Sequence, residues 1–439
     1  MTVRATEAPA ADAAAVPFGE AFRFWLLLGF VNFGGPAGQI ATMHRELVER
    51  RRWISESAYL RALNFCTLLP GPEATQLATY IGWRLHGIKG GIVAGTFFVI
   101  PSIFVLLALS WVSVAHADVP AIAGLFYGIQ AVVIAIVVEA VVRIGKRALK
   151  HRALYVFAAA AFIALYVFSV PFPLVILVAG VAGLLLQRRW PQVFRAGGHG
   201  DGRGEGARAA DERADVAYPP ITRALKFVGV FVVLWAIPVG VLLAWHGRSH
   251  VLVQEALFFT RAAFITFGGA YAVLSYIAQQ AVEHYHWLDA DQMVQGLGLA
   301  ETTPGPLIMV TQYVGFVGAW NQGGDPRLGY AVLGALVTTY VTFLPCFLFI
   351  FVGAPYIEAL AGNRRLQAAL TAVTAAVVGV ILNLAVFFAR HVLFPDGRLD
   401  GFALVLAVVA FVLAWRYRAP IHLLVALGAV AGMIWTLIT

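Results

Sequence analysis

The sequence predicts an all-α integral membrane protein of two inverted-topology repeats, with broken or re-entrant helices at a Gly-Gly and a Pro-Gly-Pro in each. Three observations carry that expectation. The chain of 439 residues is 60% hydrophobic and only 12% charged, with a mean hydropathy of +0.80, whereas soluble domains carry roughly 25% charged residues. Apolar runs recur from Phe18 to the C-terminus, each about 15 to 25 residues, long enough to cross a hydrocarbon core about 30 Å thick. Finally, FVNFGGPAGQ (Phe30 to Gln39) returns as FITFGGAYAV (Phe264 to Val273), 234 residues later.

Helices rather than strands follow from the apolar runs themselves. A bilayer cannot satisfy free backbone N–H and C=O groups, so only helices and closed barrels span it. Barrel strands alternate apolar and polar residues, and stretches such as GIQAVVIAIVVEAVV do not. The net charge of +8 is scattered between spans, as expected for cytoplasmic loops, so no nucleic acid is expected as a partner. Two cysteines far apart, Cys66 and Cys346, imply neither a disulfide framework nor a metal site. No metal and no cofactor are expected, and nothing has the form of a Walker phosphate loop. The Ala-rich residues 1–17 read as an N-terminal tail rather than a cleaved signal.

The elements repeat in order. Residues 18–186 form the first repeat, 187–220 a cytoplasmic linker rich in Gly, Ala and charge, 221–245 an unpaired transmembrane helix, and 251–438 the second repeat. The same 234-residue shift carries Phe33, Gly34 and Gly35 onto Phe267, Gly268 and Gly269. It carries Trp53 onto Trp287, and Pro70-Gly71-Pro72 onto Pro304-Gly305-Pro306. Each repeat opens with an apolar segment ending in Gly-Gly, followed by an amphipathic segment reaching Trp53 or Trp287. A segment broken at Pro-Gly-Pro follows, then four apolar spans; in the first repeat these run from about Gly90 to Leu186. One unpaired span between two repeats of even parity turns the second upside down. Loop charge agrees: RIGKRALKHR (Arg143 to Arg152) is basic, Arg364, Arg365, Arg416 and Arg418 answer uncharged loops of the first half, and the segment with Arg45, Arg50, Arg51 and Arg52 answers one with no Lys or Arg between Arg261 and Arg327. Arg50, Arg51 and Arg52 fall on the cytoplasmic side if both broken segments are hairpins.

A helix that starts inside the membrane directs free N–H groups and its positive dipole end into the gap, and glycine lets the backbone approach an anion closely. Four such breaks converging near the midplane would form one oxyanion site. The candidate binding residues are Asn32, Gly34, Gly35, Gln39, Gly71, Thr75 and Gln76 in the first half. In the second they are Thr266, Gly268, Gly269, Tyr271, Thr303, Gly305 and Gln312. Thr67, Thr302 and Thr311 lie beside them, and Thr and Gln near kinks also serve simply to satisfy freed backbone groups. Glu73 and Glu301 flank the two Pro-Gly-Pro breaks; carboxylates inside a membrane span are functional candidates, here for proton coupling. Glu139, four residues before Arg143, reads as a local ion pair.

FGGPAGQ, LLPGPEATQLATYIGW and AETTPGPLIMVTQYVGF, with Trp53 and Trp287, resemble the chromate ion transporter family in its long two-domain form. The resemblance covers nearly the whole chain outside the tail and the linker. It implies secondary transport of chromate across the bacterial inner membrane, usually outward and giving chromate resistance, with sulfate as an isosteric competitor and a homodimer as a candidate assembly. The second repeat departs from the first, FGGAYA replacing FGGPAG, so the two helix starts need not contribute equally. The alternatives are a sulfate or other oxyanion transporter, a membrane enzyme, for which no nucleophile and base are evident, and a sensor signalling through the linker.

Overall fold

The computed structural model describes residues 16–195, 220–357 and 363–439. The predicted N-terminal tail therefore lies almost wholly outside the described residues, as does most of the linker. Among the described residues all regular elements are helical. Among the described residues six helices are long and apolar enough to cross a membrane: Glu73–Ala115, Pro120–Ala148, Ile221–His246, Arg327–Tyr356, Arg365–Leu393 and Ile421–Ile438. The protein is a multi-pass membrane protein.

In the first half, α1 (Phe18–Val31) ends at Asn32, and α2 (Gly35–His44) continues as a π-helical turn, Arg45–Arg50. α3 (Glu56–Cys66) is capped by the Ser55 hydroxyl and runs to the first Pro-Gly-Pro, beyond which α4 (Glu73–Ala115) begins. α5 (Pro120–Ala148), α6 (Arg152–Tyr166) and α7 (Phe172–Leu186) complete the half. A short α8 (Pro191–Arg195) buries Val193 and Phe194, so the stretch expected to be linker starts with a docked turn of helix. α9 (Ile221–His246) follows, mostly exposed along its length.

The second half repeats the pattern. α10 (Val251–Ile265) stops at Thr266, and α11 (Ala270–Gln279) passes into a π-helical turn, Gln280–His284. α12 (Ala290–Thr302), held by an Asp289/Gln292 capping box, leads to the second Pro-Gly-Pro. A 3-10 turn (Leu307–Met309) opens α13 (Val310–Gln322), followed by α14 (Arg327–Gly353), α15 (Arg364–Leu393), α16 (Gly401–Tyr417) and α17 (Ile421–Ile438).

The correspondence reaches individual bonds. Trp53 N–H donates to Leu47 O at 2.8 Å, and Trp287 N–H to Ala281 O at 2.8 Å; Phe33 N–H bonds Val31 O at 3.1 Å, and Phe267 N–H bonds Ile265 O at 3.0 Å. Arg52 and His286 both hold positive φ, 54° and 53°. Each partner lies 234 residues from its counterpart.

α4 is two helices, broken at His86 and Gly87, where φ reaches 62° at the glycine. The short first part folds back along the second, so that a Cβ on Gly82 would lie 2.6 Å from the Ala94 methyl. α13 folds back on α14 likewise, Gly315 facing Gly334 and Thr338. The first part of α4 and α13 each rise only about 20 Å at 1.5 Å per residue.

The two halves interlock. α5 packs mainly on α16 and α17 of the other half, and α15 packs on α6 and α7. Lipid is as apolar as leucine, so close helix contact in a membrane rests on small residues. A Cβ on Gly124 would lie 2.8 Å from Met433 Cα and 2.9 Å from the Gly432 carbonyl; one on Gly183 would lie 2.6 Å from the Ala368 carbonyl. α5 extends to Ala148, which places Arg143 and Arg147, read from the sequence as part of a basic loop, on the helix.

Candidate functional site

Glycine sets the backbone at all four breaks. Gly34 and Gly35 have φ of 94° and 64°, Gly268 and Gly269 of 81° and 93°, Gly71 of 122° and Gly305 of 116°. These are left-handed conformations that a Cβ disfavours. Side chains also crowd the Pro-Gly-Pro glycines. A Cβ on Gly71 would stand 2.8 Å from Gln76 Nε2 and 3.4 Å from Cys346 Sγ, and one on Gly305 would strike Ser102. Pro72 and Pro306 cap the helical turns that follow them, and Pro36 lies in the first turn of α2.

The breaks bond across the halves. Gly71 N–H donates to Thr266 O at 2.8 Å, and Gly305 N–H donates to Asn32 O at 3.0 Å. The 234-residue shift turns one bond into the other. Gln39 Nε2 adds a bond to Gly305 O and one of 3.4 Å to Asn32 O. Ser102 on α4 donates its hydroxyl to Pro304 O. The donors at Pro-Gly-Pro are thus spent on protein. The N–H groups of Gly34, Gly35, Gly268 and Gly269 have no acceptor among the described residues, so the Gly-Gly breaks carry the free backbone donors.

The predicted polar residues divide into two groups. Thr266 and Thr303 give their hydroxyls to the helix carbonyls of Ala262 and Ala300, at 2.6 and 3.2 Å. Gln312 is a brace: Nε2 bonds Ile103 O at 2.8 Å and Oε1 accepts from Thr339 at 3.2 Å. The others keep buried atoms without a protein partner, namely both side-chain polar atoms of Asn32, the Oε1 atoms of Gln39 and Gln76, and the hydroxyls of Thr75 and Thr311. Asn32, Gln39, Thr75 and Gln76 are wholly buried. Each such atom costs roughly 1–3 kcal/mol if it stays unsatisfied. Gln76 is held in place by its 2.7 Å bond from Nε2 to Pro70 O.

Glu301 joins the halves. Its Oε1 accepts the Tyr271 hydroxyl, while its unpartnered Oε2 lies 4.0 Å from where a Cβ on Gly35 would stand. Arg143, paired to Glu139 at 3.0 Å, is the cation whose charge acts on both Glu301 and Tyr271. Glu73 opens α4 half-buried, and Arg147, one turn beyond Arg143, is the cation acting on it. The sequence placed Arg143 in a basic stretch and in a local pair with Glu139, and the pair is present; Arg147 was read only as part of the basic stretch and lies on the same helix. Ser102 left no signal, since one serine in an apolar run points to no partner.

The family model for chromate transporters matches residues 19–184 and 253–433. The chain belongs to the chromate transporter family. The family match takes in both Gly-Gly and both Pro-Gly-Pro breaks and skips the linker and α9. The chain is 31% identical to the chromate transport protein of Pseudomonas aeruginosa, over 98% of this chain and 96% of that one. It is 27% identical to the probable chromate transport protein of Synechococcus elongatus, over 94% of each chain, and 28% identical to the chromate transport protein of Cupriavidus metallidurans, over 92% and 90%. No solved structure matches.

Proposed function

We propose that this protein is a secondary transporter that exports chromate across the bacterial inner membrane and thereby confers chromate resistance. The observation that carries the reading is the group of free Gly-Gly donors and unpartnered Asn32, Gln39, Thr75 and Gln76 atoms at breaks contributed by both halves. Neutral donors of this kind suit a tetrahedral dianion that must be released again. The near full-length similarity to proteins named for chromate transport gives the substrate. Sulfate, a similar tetrahedral dianion, is a competitor and the alternative substrate.

In this reading residues 18–186 and 251–438 are inverted repeats, joined by a cytoplasmic linker at 187–220 and the unpaired helix at 221–245. Lengths near 20 Å for α13 and the first part of α4 fit re-entrant hairpins better than full crossings. Inversion makes the Gly71–Thr266 and Gly305–Asn32 bonds related contacts at one pseudo-two-fold axis. Rocking one repeat against the other exchanges these contacts and opens the site to each side in turn. A dianion leaving a negative-inside cell gains about 2.3 kcal/mol per charge per 100 mV.

Glu301 supplies coupling. An ionised Oε2 beside Gly35 repels a dianion held at the Gly34 and Gly35 N–H groups, and a protonated one accepts it. Anion and carboxylate charge therefore alternate. Glu73, which follows the first Pro-Gly-Pro where Glu301 precedes the second, is the other coupling candidate, with Arg147 as the cation acting on it.

Uptake of labelled chromate into everted membrane vesicles under an imposed potential tests the proposal. Accumulation suppressed by sulfate is expected. Failure to accumulate either anion refutes it.

A further inference from the structure

Outside the breaks, α10 carries a second carboxylate in an unusual setting. Glu255 has no solvent exposure, and neither of its oxygens has a partner among the described residues. Its cradle is made by the absence of side chains. A Cβ on Gly318 of α13 would lie 2.6 Å from Oε1 and 3.1 Å from the Trp287 Cβ, and a Cβ on Gly334 of α14 would lie 3.0 Å from Oε2. Trp287 Nε1 is likewise buried and unpartnered. Two glycines on two helices thus leave room for one carboxyl group.

No counter-charge compensates it. α13 has no charged residue between Val310 and Gln322, and the sole charge of α14 is Arg327 at its first position. The segment carrying Trp287 brings Tyr285, stacked on that indole at 4.4 Å, with His284 and His286 facing outward. His246 and His250, stacked at 4.3 Å beside Tyr330, close the nearby α9–α10 corner. No charged group acts on Glu255. A carboxylate buried without cation or donors is prohibitively costly, and the group exists there as the neutral acid. The repeat does not require it either. The 234-residue shift takes Glu255 back to Ala21, and Gly318 back to Arg84.

We infer that Glu255 is a proton-binding site separate from the oxyanion site, which takes up and releases one proton in each transport cycle. The inference rests on the transport reading above. α10 provides the link. Glu255 stands three turns before Thr266, about 16 Å along the same helix, and Thr266 O holds the Gly71 N–H at 2.8 Å. Ionisation requires the carboxylate to reach water, which pulls on α10 and biases the rocking motion toward the released bond; reprotonation removes the bias.

The test uses the purified full chain in liposomes. Chromate exchange without a gradient reports the oxyanion site, and the rate change on imposing a pH gradient reports the proton site. Glu255→Gln mimics the neutral acid. It is expected to keep exchange and to weaken the pH-gradient response, the remainder being the part carried by Glu301. An unchanged response in the variant overturns the inference, as does a wild-type response to a sodium gradient in place of a pH gradient. Failure of wild-type exchange refutes the transport reading instead. Dicyclohexylcarbodiimide labelling of the wild-type chain, located by mass spectrometry, depends neither on the variant folding nor on transport. A Glu255 adduct that declines with rising pH supports the site, and its absence at every pH overturns it.

Discussion

Gly71 donates its backbone N–H to the Thr266 carbonyl at 2.8 Å, and the equivalent bond of the other half runs from Gly305 to Asn32 at 3.0 Å. Each Pro-Gly-Pro break is therefore completed by the break before the Gly-Gly of the opposite half. Neither half holds its irregular backbone alone, which explains how non-helical chain is tolerated within a membrane protein.

Gly305→Ala should separate fold from function least well and stability best. Its φ of 116° and the Ser102 hydroxyl leave no room for a methyl, so the expected cost is roughly 1–3 kcal/mol of backbone strain with further loss from displaced Ser102. Gly269→Ala, at φ 93° but facing open space, should cost less. Thermal unfolding in detergent compares them; an equal Tm for the two variants contradicts the packing described for Gly305.

Glu301→Gln should remove the pH dependence of chromate binding. An ionised Glu301 beside Gly35 repels a dianion, so wild-type affinity is expected to fall as pH rises, while the variant stays flat. Tyr271→Phe removes the hydroxyl that Oε1 accepts and should shift the wild-type profile without flattening it. Equilibrium binding of labelled chromate from acid to neutral pH, expressed against the concentration of the free dianion at each pH, decides this.

Arg143→Gln should extend chromate binding to higher pH, because the cation that favours the ionised, repelling form of Glu301 is lost. Glu139, its partner at 3.0 Å, would remain as an uncompensated negative charge. Arg143→Lys should restore part of the wild-type pH profile. An unaltered Kd for Arg143→Gln removes this arginine from the site.

Gly128→Leu should block association of the halves. A Cβ there strikes the Gly428 carbonyl and would lie 2.9 Å from Gly432 N. Overpacking by a few methylenes costs about 1–3 kcal/mol in a core that can relax, and here the obstacle is backbone. Loss of the monodisperse species on gel filtration is expected.

What the sequence made legible was its punctuation. Gly34-Gly35, Gly268-Gly269 and the two Pro-Gly-Pro triplets sit at fixed spacing because only those residues adopt the required φ, so the breaks and the helices between them could be read directly. The long spans were equally clear from their length. The bonding of Gly71 to Thr266 was not legible, since hydrogen bonds of backbone groups leave no mark on residue type. For that reason Gly71 and Gly305 were expected to offer donors that they in fact spend on each other's halves. Gln312 looked like a ligand and is a brace, because an amide in an apolar run reads the same in either role. Arg143 and Arg147 were assigned to a loop because charge density alone marked the end of α5. Glu255 drew no attention, as its isolation depends on glycines 63 and 79 positions away.

The central claim is that both halves build a single oxyanion site at their Gly-Gly breaks. Equilibrium binding of labelled chromate to the purified full chain, with Gly35→Val and Gly269→Val alongside the wild type, tests it most directly. The account predicts one chromate per chain and loss of binding in either variant. Two chromates per chain, or undiminished binding in one of the variants, would contradict it.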